Sequence, residues 1–345
     1  HCISSAASDV YKRQVYIIAE AGVNHNGRLD LALRLCDVAK AAGVDAVKFQ
    51  TWKTEKIVTQ TAAKATYQVE NTHSNEETQF DMLKKLELSY RQFFEIKEYC
   101  DKIGIDFLST PDEEDSLDFL VSLHLPFLKI GSGEVNNIPY LKRIGQCRMP
   151  VILSTGMSWL SDVEIAYRTL LEAGANSVSL LHCTTNYPCP MSEVNLCAMQ
   201  TMKNAFKCKI GYSDHTMGAE IPIAAVAMGA EIIEKHFTLS RKMEGPDHKA
   251  SLEPAELKYM VDCIRNIELA LGDGIKRPNK SEIEISKVVL KSIVAKRRIQ
   301  EGEELSVDNL TVKRAEKGIS ASYWNLILGK RATKNYDVDE PIQIR

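Results

Sequence analysis

Residues 209–236 read KIGYSDHTMGAEIPIAAVAMGAEIIEKH, and this stretch decides the fold. An apolar run, Lys209–His215, ends in Ser213, Asp214 and His215. The apolar segment Ile221–Ala230 follows, with Gly229 close to its end, and a second run, Ile232–His236, closes on Glu234, Lys235 and His236. Two short, near-continuous hydrophobic runs joined through a helix-length segment make a strand–helix–strand unit. A connection that long lets the two strands run parallel, and unbroken apolar character is what burial on both faces requires.

The same unit recurs upstream. Val15–Glu20, Ala46–Gln50, Asp106–Thr110, Phe127–Ser132, Pro150–Ser154 and Val178–Thr184 are six further runs, each ending in polar or charged residues. Helical spacing of apolar residues fills Leu29–Ala42, which stops at Gly43, and Tyr90–Ile103, which stops at Gly104. Eight such units in about 250 residues predict an α/β fold, a (β/α)8 TIM barrel, with its chemistry where the strands end. The irregular part is Thr51–Ser89, polar across Lys64–Thr78, which reads as a long loop with a helix contributing to the site. Glu256–Leu271 reads as the last barrel helix. The barrel domain is therefore expected over residues 15–272, a linker over 273–286, and a small domain of short strands and turns over 287–345. Residues 1–14 show no apolar periodicity and are expected to be a non-native or disordered leader.

Composition sets the outer limits. The 345-residue chain is 44% hydrophobic and 26% charged, with a formal charge of -3, so no global cationic excess points to nucleic acid. No apolar run has the length of a membrane span. Nine scattered cysteines without a C-x-x-C spacing, and no recognisable secretory segment, lead to an expectation of reduced thiols and a cytoplasmic protein.

The strand ends carry the chemistry. Lys48 and Lys129 each interrupt an apolar strand, where an unpaired ammonium is costly. Each must therefore meet a carboxylate, a carbonyl substrate or an anion. Thr110, Ser132, Ser154 and Ser213 end neighbouring runs, and Gly131-Ser132-Gly133 offers backbone N–H groups; cations with such donors make a phosphate cradle. A Schiff-base lysine is the rival chemistry. His215 and His236 end the last two strands, with Asp214 and Glu234 beside them, and form a candidate pair for a divalent metal that keeps open positions. Glu20 and Glu134 stand at the same rim as candidate proton carriers. His25 and His182 are weaker candidates, and the loop Gly245–Ser251 follows the last strand.

Seven blocks in order then carry a resemblance: residues 19–27 (AEAGVNHNG), 47–50 (VKFQ), 129–134 (KIGSGE), 153–157 (LSTGM), 211–216 (GYSDHT), 234–237 (EKHF) and 245–248 (GPDH). The chain resembles the sialic acid synthase family over essentially all of residues 15–345. The resemblance implies condensation of phosphoenolpyruvate with an N-acylated amino sugar, with release of phosphate. Lys48, Thr110, Lys129, Ser132, Ser154 and Ser213 match the residues that hold phosphoenolpyruvate. His215 and His236 match those that hold a divalent metal, Mn2+ foremost, with Mg2+ or Co2+ as substitutes. Gln50, Tyr187 and Asp247 match sugar contacts. The tail resembles the antifreeze-like SAF module, which implies a domain-swapped homodimer whose SAF domain caps the partner's barrel and brings Arg314 to the sugar's N-acyl group. The block after Arg314, Ala315-Glu316-Lys317, departs from the family's usual Pro-Gly. The activity expected first is N-acetylneuraminate synthesis from N-acetylmannosamine; the alternative is legionaminate or pseudaminate synthesis from a 2,4-diacetamido-trideoxyhexose.

Overall fold

A computed structural model describes residues 14–72, 77–315 and 317–343. Of the leader expected over residues 1–14, all but Gln14 lies outside these. Eight parallel strands form one sheet in the order β3-β2-β1-β8-β7-β6-β5-β4. They are β1 (Tyr16–Gly22), β2 (Ala46–Thr51), β3 (Asp106–Pro111), β4 (Leu128–Ile130), β5 (Pro150–Ser154), β6 (Ser177–His182), β7 (Ile210–Asp214) and β8 (Ile232–His236). The sheet curves until β3 and β4 lie side by side, giving a near-closed barrel. The expected run Phe127–Ser132 shortens to three residues of strand, because Ser132–Glu134 turn into a 3-10 helix.

Helices cover the sheet. α1 (Leu29–Ala42) buries Leu31, Leu35, Cys36 and Ala39 at helical spacing and ends at Gly43 in the left-handed region, φ 82°. Among its described residues the excursion after β2 holds three helices rather than one: α2 (Thr54–Ile57), α3 (Thr66–Thr72) and α4 (Gln79–Leu86). A capping box between Thr78 and Asp81 starts α4, a local signal that its polar composition hid. The series continues with α5 (Tyr90–Ile103), α6 (Glu114–Ser122), α7 (Ile138–Gln146), α8 (Leu160–Ala173), α9 (Cys197–Phe206), α10 (Glu220–Ala227) and α11 (Pro254–Leu271).

Side-chain alternation divides the barrel interior into layers. Ile18, Ala46, Leu108, Ile152, Leu181 and Ile232 form an apolar plug. Two residues further along the same strands stand Glu20, Lys48, Thr110, Ser154, Cys183 and Glu234, so period two puts a polar layer directly on the apolar one. Gly211 permits this closure: a Cβ there would come within 2.2 Å of Ile232 O and 2.6 Å of a Leu181 methyl. The outward-facing residues, such as Ile17, Val47, Phe49 and Phe107, join the core beneath the helices.

The chain divides into two units between Asp273 and Gly274. In the second, β9 (Lys291–Ala295) pairs antiparallel with β10 (Leu310–Arg314) over a core that includes Ile293, Ile299, Tyr336 and Ile342. The stretch read as linker runs into α12 (Lys280–Val289), begun by Asn279 and a capping box to Glu282. Most of the Gly, Pro and basic content that suggested a linker belongs to residues 272–278, ahead of that cap.

Candidate functional site

A cavity of about 190 Å³ opens at the strands' C-terminal ends. Its walls contain Glu20, Lys48, Gln50, Thr110, Lys129, Ser132, Ser154, Tyr187, Ser213, His215 and His236, brought together from seven strands and the loop after β6. Both lysines belong to the same rim as both histidines.

The lysines are paired. Lys48 Nζ lies 2.6 Å from Glu20 Oε2 and 3.7 Å from Glu234 Oε2, and donates to Thr110 Oγ1 at 3.0 Å. Lys129 Nζ lies 3.3 Å from Glu234 Oε1. Burial opposes the charge on Glu234, but Lys129, Lys48 and the Ser213 hydroxyl together outweigh it and hold its pKa at about 2. Burial also works against the Lys48 ammonium, yet Glu20 and Glu234 hold its pKa above the usual lysine value. Lys129 is pulled below the usual value by burial, against the opposing attraction of Glu234. Burial pushes Glu20 up to about 7 despite Lys48. Glu234, noted in the sequence only as a neighbour of the histidines, bridges the two cations; its place two residues before His236 on β8 is the signal for that face. Asp214 points the other way. It pairs with Lys235 at 2.6 Å, both side chains fully buried, and does not line the cavity. Lys235 also donates to Thr216 O, which ties the segments behind the two histidines together.

The rings of His215 and His236 lie 5.4 Å apart, and Tyr187 packs 4.2 Å from the first. His215 Nδ1 donates to Thr184 O at 2.6 Å, which leaves Nε2 as the acceptor nitrogen. His236 Nδ1 is buried without a hydrogen-bond partner, 3.9 Å from Asp247 Oδ2. Burial holds both imidazoles below their ordinary pKa, hence neutral, the form that binds a metal. Among the described residues no three His, Cys, Asp or Glu side chains gather closely enough to hold a metal by themselves. Two neutral imidazoles with an orphan nitrogen therefore fit a divalent ion that completes its shell with water or substrate.

Ser132 Oγ accepts from Gly156 N at 2.9 Å, and Gly156 has no room for a Cβ, which would meet Thr185 Oγ1 at 2.2 Å. Ser154 Oγ and Thr185 Oγ1 are buried without partners at this wall, unmet donors that suit a polar ligand. Two predicted residues of the barrel fall outside the cavity wall: Glu134 accepts from Asn137 at 2.7 Å beside it, and Asp247 stands 3.9 Å from His236 Nδ1. Arg314 belongs to the second unit, at the end of β10. His182 is committed to Val194 O, and His25 is buried against Phe49. Sequence reasoning singled out neither Asp112 nor Cys183; both line the cavity. Asp112 follows the end of β3, where no periodicity marks its direction. The eight described cysteines are free, and among the described residues no helix is long and apolar enough to cross a membrane.

Comparison with known proteins agrees with this geometry. A family model described as the NeuB family matches residues 35–276, and one described as the SAF domain matches residues 291–344. The N,N'-diacetyllegionaminic acid synthase of Campylobacter jejuni is 51% identical, over 96% of this chain and 99% of the relative. The N,N'-diacetyllegionaminic acid synthase of Legionella pneumophila is 46% identical, over 93% of this chain and 91% of the relative. Among solved structures, the N-acetylneuraminic acid synthetase of Leptospira borgpetersenii is 37% identical and superposes with a TM-score of 0.69, covering 80% of this chain and 92% of that one.

Proposed function

This chain belongs to the NeuB family, and on that footing we propose that it makes N,N'-diacetyllegionaminic acid from phosphoenolpyruvate and a 2,4-diacetamido-trideoxyhexose. The 51% identity to a legionaminic acid synthase, spanning nearly the whole of that relative, carries the reading and displaces N-acetylneuraminate as the first expectation. The chemistry is unchanged by that choice. The enol carbon attacks the sugar aldehyde, water adds at the carbon bearing the phosphate, and phosphate leaves.

Lys48, Lys129, Thr110, Ser132, Ser154 and Ser213 hold phosphoenolpyruvate; the paired cations and the unmet hydroxyls of this wall support that role. Because the Ser213 hydroxyl donates to Glu234, it offers the cavity only its lone pairs until that bond changes. The acceptor nitrogens of His215 and His236 would hold a divalent ion such as Mn2+, which would supply a Lewis acid for the aldehyde. Gln50, Tyr187 and Asp247 orient the sugar, and Glu20 and Glu134 carry protons at the rim. The SAF domain supports a homodimer in which Arg314 reaches the partner's sugar site.

The test offers purified protein, with phosphoenolpyruvate and Mn2+, three acceptors in parallel: 2,4-diacetamido-2,4,6-trideoxymannose, N-acetylmannosamine and its 6-phosphate. Phosphate release with the diacetamido sugar should exceed the others by at least about tenfold, the discrimination one well-recognised substituent provides. Preference for N-acetylmannosamine would restore the first expectation.

A further inference from the structure

The cavity holds more carboxylate than its cations balance. Glu20 is neutralised by Lys48, and Glu234 by both lysines. Asp112 lines the same cavity, its backbone N–H fixed to Thr51 O at 3.1 Å, yet its carboxyl makes no hydrogen bond or ion pair among the described residues. Lys48 on β2 and Lys129 on β4 attract it, whereas Glu134 on the turn after β4 and Glu113 on its own loop repel it; Tyr140 of α7 stands near as a neutral phenol. Burial, reinforced by Glu134, pushes this carboxyl up to about 7 against the pull of the lysines. A ligand bearing a phosphate and a carboxylate adds negative charge beside it, and a second anion at close range favours its neutral form.

We infer that phosphoenolpyruvate binds with uptake of one proton on Asp112, which then stands as a carboxylic acid able to donate to an anionic oxygen of the ligand. This rests on the phosphoenolpyruvate reading above and adds a proton carrier to it. Once water has added, the bond between the former enol carbon and the phosphate oxygen breaks. The departing oxygen keeps the electron pair and takes the Asp112 proton, while the added water returns a proton to the Asp112 carboxylate. Atoms and charge balance with no further reagent. Because no described residue bonds to this carboxyl, Asp112→Asn removes the titration without removing a contact seen among them.

Calorimetric titration of the full chain with phosphoenolpyruvate, with Mn2+ present, in buffers of different ionisation enthalpy reads the proton count directly. The expected uptake is about half a proton per site near pH 7, rising toward about one near pH 8, where the free carboxyl is mostly ionised. Asp112→Asn should abolish the uptake, keep or tighten phosphoenolpyruvate affinity, and lower kcat by about a hundredfold, the scale of one general acid. Absence of uptake in the unmodified protein overturns the inference. So does uptake that survives in Asp112→Asn, and its loss in Glu20→Gln would then assign it to Glu20. A titration with no binding at all removes the phosphoenolpyruvate reading itself, an outcome distinct from binding without proton uptake.

Discussion

Lys129 on β4 faces Glu234 on β8 across the barrel, Nζ to Oε1 at 3.3 Å, in a layer closed off below by apolar side chains. On its own strand Lys129 also donates to Ile130 O at 3.3 Å, a neutral carbonyl. Their attraction offsets a desolvation cost that each alone would bear in full, and Glu234 serves Lys48 as well. An anionic ligand entering this layer must compete with Glu234 for the same two ammonium groups.

Lys129→Ala is therefore expected to act on phosphoenolpyruvate far more than on the sugar. Loss of one charge-assisted contact, about 1.5–3 kcal/mol, raises the KM for phosphoenolpyruvate roughly 10- to 150-fold and leaves that of the sugar within a few-fold. Stability falls as well, by about 3–5 kcal/mol, because Glu234 loses a buried counter-charge. Steady-state kinetics with each substrate varied in turn, and urea denaturation, check both parts. Equal effects on the two KM values would count against the cradle.

His236→Ala should release the metal. On the proposed reading two imidazoles 5.4 Å apart would supply the donors, and the loss of one would leave a single ligand from the chain. Metal content after gel filtration should drop to background, and turnover should vanish with it. Chelator-treated protein should recover on addition of Mn2+, whereas His236→Ala should not. Full activity after exhaustive chelation would refute the assignment.

His25 sets an acid limit on stability. It is buried, its Nδ1 accepts from Gly27 N at 3.1 Å, its Nε2 has no partner, and burial holds its pKa at about 4 against 6.5 for the free group. The unfolded chain thus binds a proton that the folded chain refuses between those values. The stability His25 contributes is complete above about pH 6.5 and is lost as pH falls toward 4, up to about 3 kcal/mol. His25→Asn keeps an acceptor for Gly27 and removes the titration. Its Tm should decline less than that of the unmodified protein between pH 7 and pH 4.5, and coincident Tm profiles would show that His25 does not limit acid stability.

The barrel and most of its rim were legible without coordinates. Strand side chains alternate with period two, so a lysine, hydroxyl or histidine near the end of an apolar run faces the interior if its neighbours face the helices. Lys48 between Val47 and Phe49 obeys that rule, as does His236 two residues after Glu234. The rule fails once the backbone leaves the strand. Asp112 and Thr185 sit in loops, where direction is set by what packs around them rather than by counting.

The sequence by itself determined which residues belong to the inner layer, because alternation is a local property of an extended chain. Tertiary structure alone decided who meets whom in that layer. It gave Glu234 to two lysines from distant strands, turned Asp214 away to Lys235, and left the Asp112 carboxyl without a bond among the described residues. Those pairings follow from closure of the sheet, which brings strands separated by more than a hundred residues within the few ångströms over which buried charges select one another.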